Sequence, residues 1–172
     1  ELYQAMLELR ARGVVKRIGL SMYSYRELHD VIDTVDADFD IIQAPMNIFD
    51  RRLDSSGLLA KLKNKGIEVH ARSAFLQGLL LIPKNDIPSY FAPWQAMFDN
   101  YHQWLNANNM SALEACLGYL NQHLDIDKIV VGVDNLAQLN EIATAIDTTV
   151  EAPSLELQSI DEGLINPSRW QL

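Results

Sequence analysis

A chain of 172 residues has room for one domain of ordinary size, and its 48% hydrophobic and 22% charged residues exclude a disordered or fibrous polymer. Fourteen Lys and Arg stand against twenty-three Asp and Glu, a net charge of -9, so the mean surface field repels phosphate backbones and anionic headgroups. Neither nucleic acid nor a membrane surface is an expected partner.

No apolar run reaches the ~20 residues of a membrane span, and no basic segment followed by an apolar stretch marks a signal peptide, so a cytoplasmic location is expected. Glu1 stands where a Met would begin a gene product, and Leu2, Met6 and Leu9 already lie at helical spacing. The chain therefore reads as a piece of something longer. Gly13 follows as a left-handed helix cap, and residues 14–22 read as a strand. Ser24 and Glu27 form a capping box that opens a helix with Leu28, Val31, Ile32 and Val35 on its buried stripe.

The unit repeats. Residues 39–44 read as a second strand, Leu58, Leu59 and Leu62 as a helix closed by Gly66, and residues 67–73 as a third strand. Pro83, Pro88 and Pro93 make the next stretch a loop followed by a helix, whose aromatics Tyr90, Phe91, Trp94, Phe98, Tyr101 and Trp104 are natural core filling. Ser111 and Glu114 form a second capping box ahead of Leu113, Leu117 and Leu120, and the lone Cys116 on that helix reads as a small buried hydrophobe. Residues 129–133 are a fourth strand. Asn135 and Gln138 cap a helix with Leu136, Leu139, Ile142, Ala143 and Ile146 inward, and residues 150–172 are a surface-packed tail on the domain of residues 1–149.

Strands alternating with helices imply parallel pairing with both sheet faces covered. An open doubly wound sheet and part of a (β/α)8 barrel both satisfy this, and no G-x-G-x-x-G follows a strand. Four units are about half of a barrel of ~250 residues. The scattered His29, His70, His102 and His123 have no ligand spacing, so no metal is expected.

The strand ends carry a resemblance that pattern alone does not give. Lys16-Arg17-Ile18-Gly19-Leu20-Ser21, then Phe39 to Asn47 with Ile48-Phe49-Asp50-Arg51, then Gly66 to Ser73 with Leu76-Gln77-Gly78-Leu79-Leu80, and finally Val130-Val131-Gly132-Val133 with Gln138, Leu139 and Glu141, resemble strands five to eight of the aldo-keto reductase family in order. The resemblance covers roughly residues 1–147. Val69 to Ser73 and Ile165 to Trp170 further resemble bacterial members associated with cell-surface sugar synthesis.

The resemblance implies an α/β fold, the C-terminal half of a (β/α)8 TIM barrel, with its site at the C-terminal strand ends. It implies NAD or NADP as cofactor and a small carbonyl compound as substrate. Ser21 and Gln43 match positions that hydrogen-bond the nicotinamide carboxamide; Ser73, Phe75 and Gln77 match the pyrophosphate loop, with Gly78 giving a tight turn; Gly132, Val133, Asn135, Gln138 and Glu141 match the adenosine end. Arg72 stands where the family stacks an aromatic ring under the nicotinamide, and Met22 where it places an Asn. A guanidinium plane can stack in part, bind an anionic substrate group, or form a salt bridge across the strand ends. Asp50, Arg51 and Arg52 are expected to solvate a loop, with a chance of reaching substrate.

In the family a Tyr supported by Asp, Lys and His protonates the carbonyl, all from the N-terminal half, and none of that half is in this sequence. Tyr23, Tyr25 and Lys16 are not the matched catalytic positions, so no catalytic residue is expected here. The leading reading is the cofactor-holding half of an NAD(P)H-dependent oxidoreductase; the others are a non-catalytic barrel binding nucleotide or a protein, and an unrelated half-barrel acting as an interaction module. A half-barrel with open edges and an apolar inner face, including Ile18, Ile42, Val69 and Val131, is expected to form a two-fold dimer.

Overall fold

Four strands run parallel and pair in their order along the chain, which is the arrangement of a barrel arc; a doubly wound sheet would reverse direction at a switch point. The computed structural model describes residues 1–34 and 38–171. Val35, expected on a buried helical stripe, lies outside the described residues, as does Leu172 at the end of the tail.

The strands are β1 (Gly19–Ser21), β2 (Ile41–Pro45), β3 (Glu68–Arg72) and β4 (Lys128–Ile129). Helix α1 (Leu2–Ala11) precedes them and α2 (Tyr25–Thr34) follows β1, with Ser24 Oγ accepting from Glu27 N at 3.2 Å. A short α3 (Arg52–Ser55) and α4 (Leu58–Asn64) lie between β2 and β3. Gly66, at φ +74, turns the chain out of α4 in a conformation that costs other residues strain. After β3 come three 3-10 turns, α5 (Gln95–Ala107) and α6 (Ala112–Asn121), the last opened by the expected Ser111–Glu114 capping box. Helix α7 (Leu136–Ala145) follows β4, and a short α8 (Glu162–Ile165) lies in the final segment.

Period-2 alternation sorts the two central strands into faces. Ile42, Ala44, Val69 and Ala71 are buried to 1% exposure or less in one core with Leu28 and Ile32 of α2 and Leu58, Leu59 and Leu62 of α4. The opposite face carries Gln43, Glu68, His70 and Arg72, all half-buried. The sheet is thus covered on one face, not on both as expected. The expected apolar inner face is corrected for the same reason: Ile18, Ile42 and Val69 belong to the buried core, Val131 packs half-buried against it, and the open face mixes Ile41 and Pro45 with the polar Gln43, Glu68, His70 and Arg72.

Several expected boundaries move. Val14 and Val15 donate their amides to Leu9 O, so they complete the end of α1 rather than start a strand. The fourth strand ends at Ile129 instead of reaching Val133, because its ladder runs out at the bond from Val130 N to Ala71 O, and Ser73 then leaves the sheet at φ +57. On α7, Leu136 and Leu139 are 70% and 47% exposed rather than inward, and α1 buries no residue, since only α6 makes extensive contact with α7 and little covers α1.

The aromatics behave as core: Phe91, Phe98 and Tyr101 are buried, and Phe49 meets Phe98 and Tyr101 edge-on at 5.4 and 5.5 Å. Cys116 is buried beside the Tyr101 hydroxyl, and burial pushes its thiol up to about 12.

Asp50, Arg51 and Arg52 do not solvate a loop. Asp50 has no exposed surface and accepts from Arg52 Nε at 2.9 Å and Nη2 at 3.0 Å, while burial pushes its carboxyl up against the pull of that arginine. Arg51, 7% exposed, donates to the carbonyls of Ile48, Pro153 and Ser154 at 2.8–3.0 Å. This fixes residues 153–154 to the turn after β2, and Val150, Leu157, Leu164 and Ile165 enter the core beyond it. Replacing Arg51 by Met orphans the carbonyls of Ile48 and Pro153, at ~1–3 kcal/mol for each, while Ser154 O keeps the Leu157 amide at 3.2 Å. We expect Arg51→Met to lose about 2–5 kcal/mol in urea denaturation; a loss under ~0.5 kcal/mol would mean that the tail is held without it.

Candidate functional site at the strand ends

The site is built by the segments that leave β3 and β4. After Arg72 the backbone is left-handed at Ser73 and again at three successive residues, Leu76 (φ +46), Gln77 (+56) and Gly78 (+85). Each such non-glycine residue costs of order 1–3 kcal/mol and persists only where its surroundings enforce it. Here they do: Leu76 is fully buried, Asn47 Nδ2 donates to Ser73 O at 3.1 Å, and the Leu80 amide closes the loop on Phe75 O at 3.2 Å. The amides of Ala74, Phe75, Gln77 and Gly78 take part in no backbone–backbone hydrogen bond among the described residues. Consecutive amides freed by left-handed turns are the material of anion-binding concavities.

Beside this loop lies a cavity of about 1040 Å³, walled by Gln43 and Arg72 from the open sheet face, by Ser73, Phe75 and Gln77, by the start of α6, by Gly132 and Val133 after β4, and by Gln138 and Glu141 of α7. These residues, distant in sequence, come together as the resemblance implied. Two do not join them. Ser21 is exposed at the end of β1, in register with Gln43, but does not line the cavity. Asn135 is the helix cap, with Oδ1 accepting from Gln138 N at 3.0 Å. Gln138 in turn accepts from Asp134 N at 2.8 Å through its side chain, so it fixes the loop it lines.

Sequence reasoning did not single out Ser111, Ala112, Leu113 and Ile142 as lining residues, nor Tyr23. Ser111 and Leu113 were read as cap and core; their helix start also forms a wall, which no local pattern encodes. Tyr23 supplies the lining with an aromatic ring, in contact with Arg72, whose guanidinium carbon lies 3.7 Å from the ring centroid. Arg72 Nη2 donates to Met22 O at 3.1 Å and Nη1 to Ser73 Oγ at 3.4 Å. The alternative of a salt bridge across the strand ends is not formed: no carboxylate pairs with Arg72 among the described residues. Among the described lining residues Arg72 is the one cation, and Asp134 and Glu141 line the same cavity without pairing with it.

A parallel strand arc whose C-terminal ends open on such a cavity is a segment of a (β/α)8 barrel with its site on the usual face. The chain belongs to the aldo/keto reductase family, whose model it matches over residues 1–163. Pyridoxal 4-dehydrogenase from Microbacterium luteolum is 20% identical over 144 residues, covering 81% of this chain and 42% of that protein. The holo form of the aldo-keto reductase AKR11C1 from Bacillus halodurans superposes with a TM-score of 0.66 at 17% identity over 90% of this chain and 53% of that one. The thermostable aldo-keto reductase Tm1743, in complex with the inhibitor epalrestat, gives 0.63 at 19% identity over 87% and 49%. The chain spans about half the length of these relatives, and its fold is a partial (β/α)8 barrel.

The Asn135 cap gives a direct test of this wall. Asn135→Ala removes an acceptor worth ~0.5–2 kcal/mol and frays the first turn of α7. Faster amide exchange at Gln138, with a loss in that range, is the expected result; unchanged exchange would show that the cap does not hold the turn.

Proposed function

We propose that the whole protein containing this chain is an NAD(P)H-dependent oxidoreductase of small carbonyl compounds or alcohols, and that residues 1–149, with residues 150–172 packed on them, hold the cofactor without supplying the catalytic tetrad. The observation that carries this is the gathering of Gln43, Arg72, Ser73, Phe75, Gln77, Gly132, Val133, Gln138 and Glu141 around one cavity at the C-terminal ends of parallel strands. The cavity is at the upper end of the ~300–1,000 Å³ typical of ligand sites, and its donor set suits the group: a primary amide, a hydroxyl, loop amides and a guanidinium with a buried, unpartnered Nε.

In this reading Gln43 and Ser21, neighbours across β1 and β2, orient the carboxamide; the loop of Ser73, Phe75 and Gln77 takes the pyrophosphate on its amides; and Gly132, Val133 and Glu141 line the adenosine end, where Asn135 and Gln138 act by fixing the loop. When bound, the cofactor supplies the hydride. The resemblance implies that the proton comes from a phenol whose pKa a nearby cation has lowered. The buried tyrosines here are shifted the other way: burial raises Tyr25 and Tyr101 well above the ordinary phenol, and Tyr119 to about 12. A non-catalytic barrel is the second reading, favoured by Arg72 and Met22 standing where the resemblance expects an aromatic and an Asn.

Fluorescence titration of the whole protein with NADH and NADPH, followed by turnover assays, tests the proposal. Residues 131–142 contain no Lys or Arg, and Asp134 and Glu141 line the cavity, so NADH is expected to bind at least as tightly as NADPH. Gln43→Ala is expected to weaken binding or turnover roughly 2–10-fold, the effect of one hydrogen bond of ~0.5–1.5 kcal/mol. Absence of binding by either cofactor sinks the reading; binding without turnover of any carbonyl moves it to the non-catalytic barrel.

We also propose that the chain as it stands self-associates as a homodimer. With the open face mixed in character, the support lies in the unpaired outer edges of β1 and β4 and the exposed Val133, Leu136 and Leu139. Sedimentation across a concentration series should show a dimer at micromolar concentration; a monomer throughout would refute it.

A further inference from the structure

Of the arginines that are not exposed, Arg10, Arg51, Arg52 and Arg72, three are fully engaged. Arg10 pairs with Asp38 and Asp40, Arg52 with Asp50 and Glu162, and Arg51 places Nε, Nη1 and Nη2 on three carbonyls. Arg72 differs. Its Nε is buried and has no hydrogen-bond partner, the one such side-chain atom among the described residues. Its remaining contacts are a carbonyl, a hydroxyl at the outer edge of hydrogen-bonding distance and the face of Tyr23. A buried donor on a charged group left unpaired is costly, so such atoms are rare and concentrate where a partner arrives from outside.

We propose that Arg72 binds an oxyanion, a carboxylate or phosphate oxygen of a ligand entering the cavity, and thereby selects for anionic ligands. A guanidinium offers five donors in a rigid fork that matches such a group in two parallel hydrogen bonds, and no carboxylate among the described residues occupies that of Arg72. Tyr23 holds the plane of the fork by stacking on it. Asp134 and Glu141, on the same lining, do not pair with it, so the charge is held available rather than neutralised.

Resting on the cofactor reading above, the favoured source of the oxyanion is the substrate. Arg72 lies on the open sheet face in register with Pro45, two residues along β2 from Gln43, which is the nicotinamide end in that reading, whereas the pyrophosphate falls to the loop amides. A cation at that end disfavours an oxidised, positively charged ring unless an anion accompanies it. A carbonyl compound bearing a carboxylate meets this requirement.

The test uses the whole protein that contains this chain, wild type against Arg72→Met and Arg72→Lys, all first shown to melt alike. The readouts are cofactor affinity and the kcat/KM ratio of 4-carboxybenzaldehyde to benzaldehyde. We expect wild type to prefer the carboxylated aldehyde at least tenfold, Arg72→Met to lose that preference and Arg72→Lys to recover part of it. If the ratio does not depend on Arg72 but the cofactor dissociation constant rises at least tenfold in Arg72→Met, the oxyanion is a cofactor phosphate. If neither moves, the inference is overturned. Should wild type bind no cofactor or turn over neither aldehyde, the proposed function itself has failed; calorimetric titration with benzoate and inorganic phosphate then decides separately, with Arg72-dependent binding supporting the inference and its absence overturning it.

Discussion

The architecture of the site depends on the side chain of Asn47. Its Nδ2 donates to Ser73 O, while its Oδ1 accepts the amides of Phe49 and Asp50, each at 2.9 Å. One buried amide thereby turns the chain sharply after β2 and holds the first residue of the loop after β3. The adjacent bond from Met46 N to Arg72 O, at 3.0 Å, extends the ladder one step past the strand. An aliphatic side chain of the same size could fill the space, but it would leave the buried amides of Phe49 and Asp50 without a partner and release Ser73 O to its remaining bond from Leu76 N.

From that turn the charged residues divide into two kinds. Asp50 and Arg52 form a forked ion pair within the protein, closed over by Tyr25, whose ring lies 4.6 Å from the Arg52 guanidinium, and Arg51 spends its donors on the final segment. These groups are satisfied internally and serve stability. Arg72 lies at the end of the neighbouring strand but has no acid to meet it. The guanidiniums of Arg52, in the turn region after β2, and of Arg72, at the end of β3, thus differ in role because of what surrounds them, not because of their own chemistry.

Much of the fold was legible in the chain. The alternation of β-branched runs with capped helical stripes named all four strands, and Ser111, Glu114, Asn135 and Gln138 marked helix starts that the structure keeps. Such features are local: a cap needs only residues three apart. The short strands were misjudged where sequence pattern continues but a partner does not. Val130 to Val133 have strand-forming composition, yet β3 has already turned away at Ser73, and a strand extends only as far as its neighbour supplies hydrogen bonds.

The sequence by itself determined the family, the order of the elements and most of the residues that now share a cavity, because each motif lies within a few residues along the chain and is tied to a strand end. Only the tertiary structure decided which sheet face is covered, that Asp50, Arg51 and Arg52 are buried ties, and that Arg72 stacks on Tyr23 with a nitrogen unmet. These depend on groups brought together across as many as a hundred residues, and the free energy of a polar side chain is set by what surrounds it after folding.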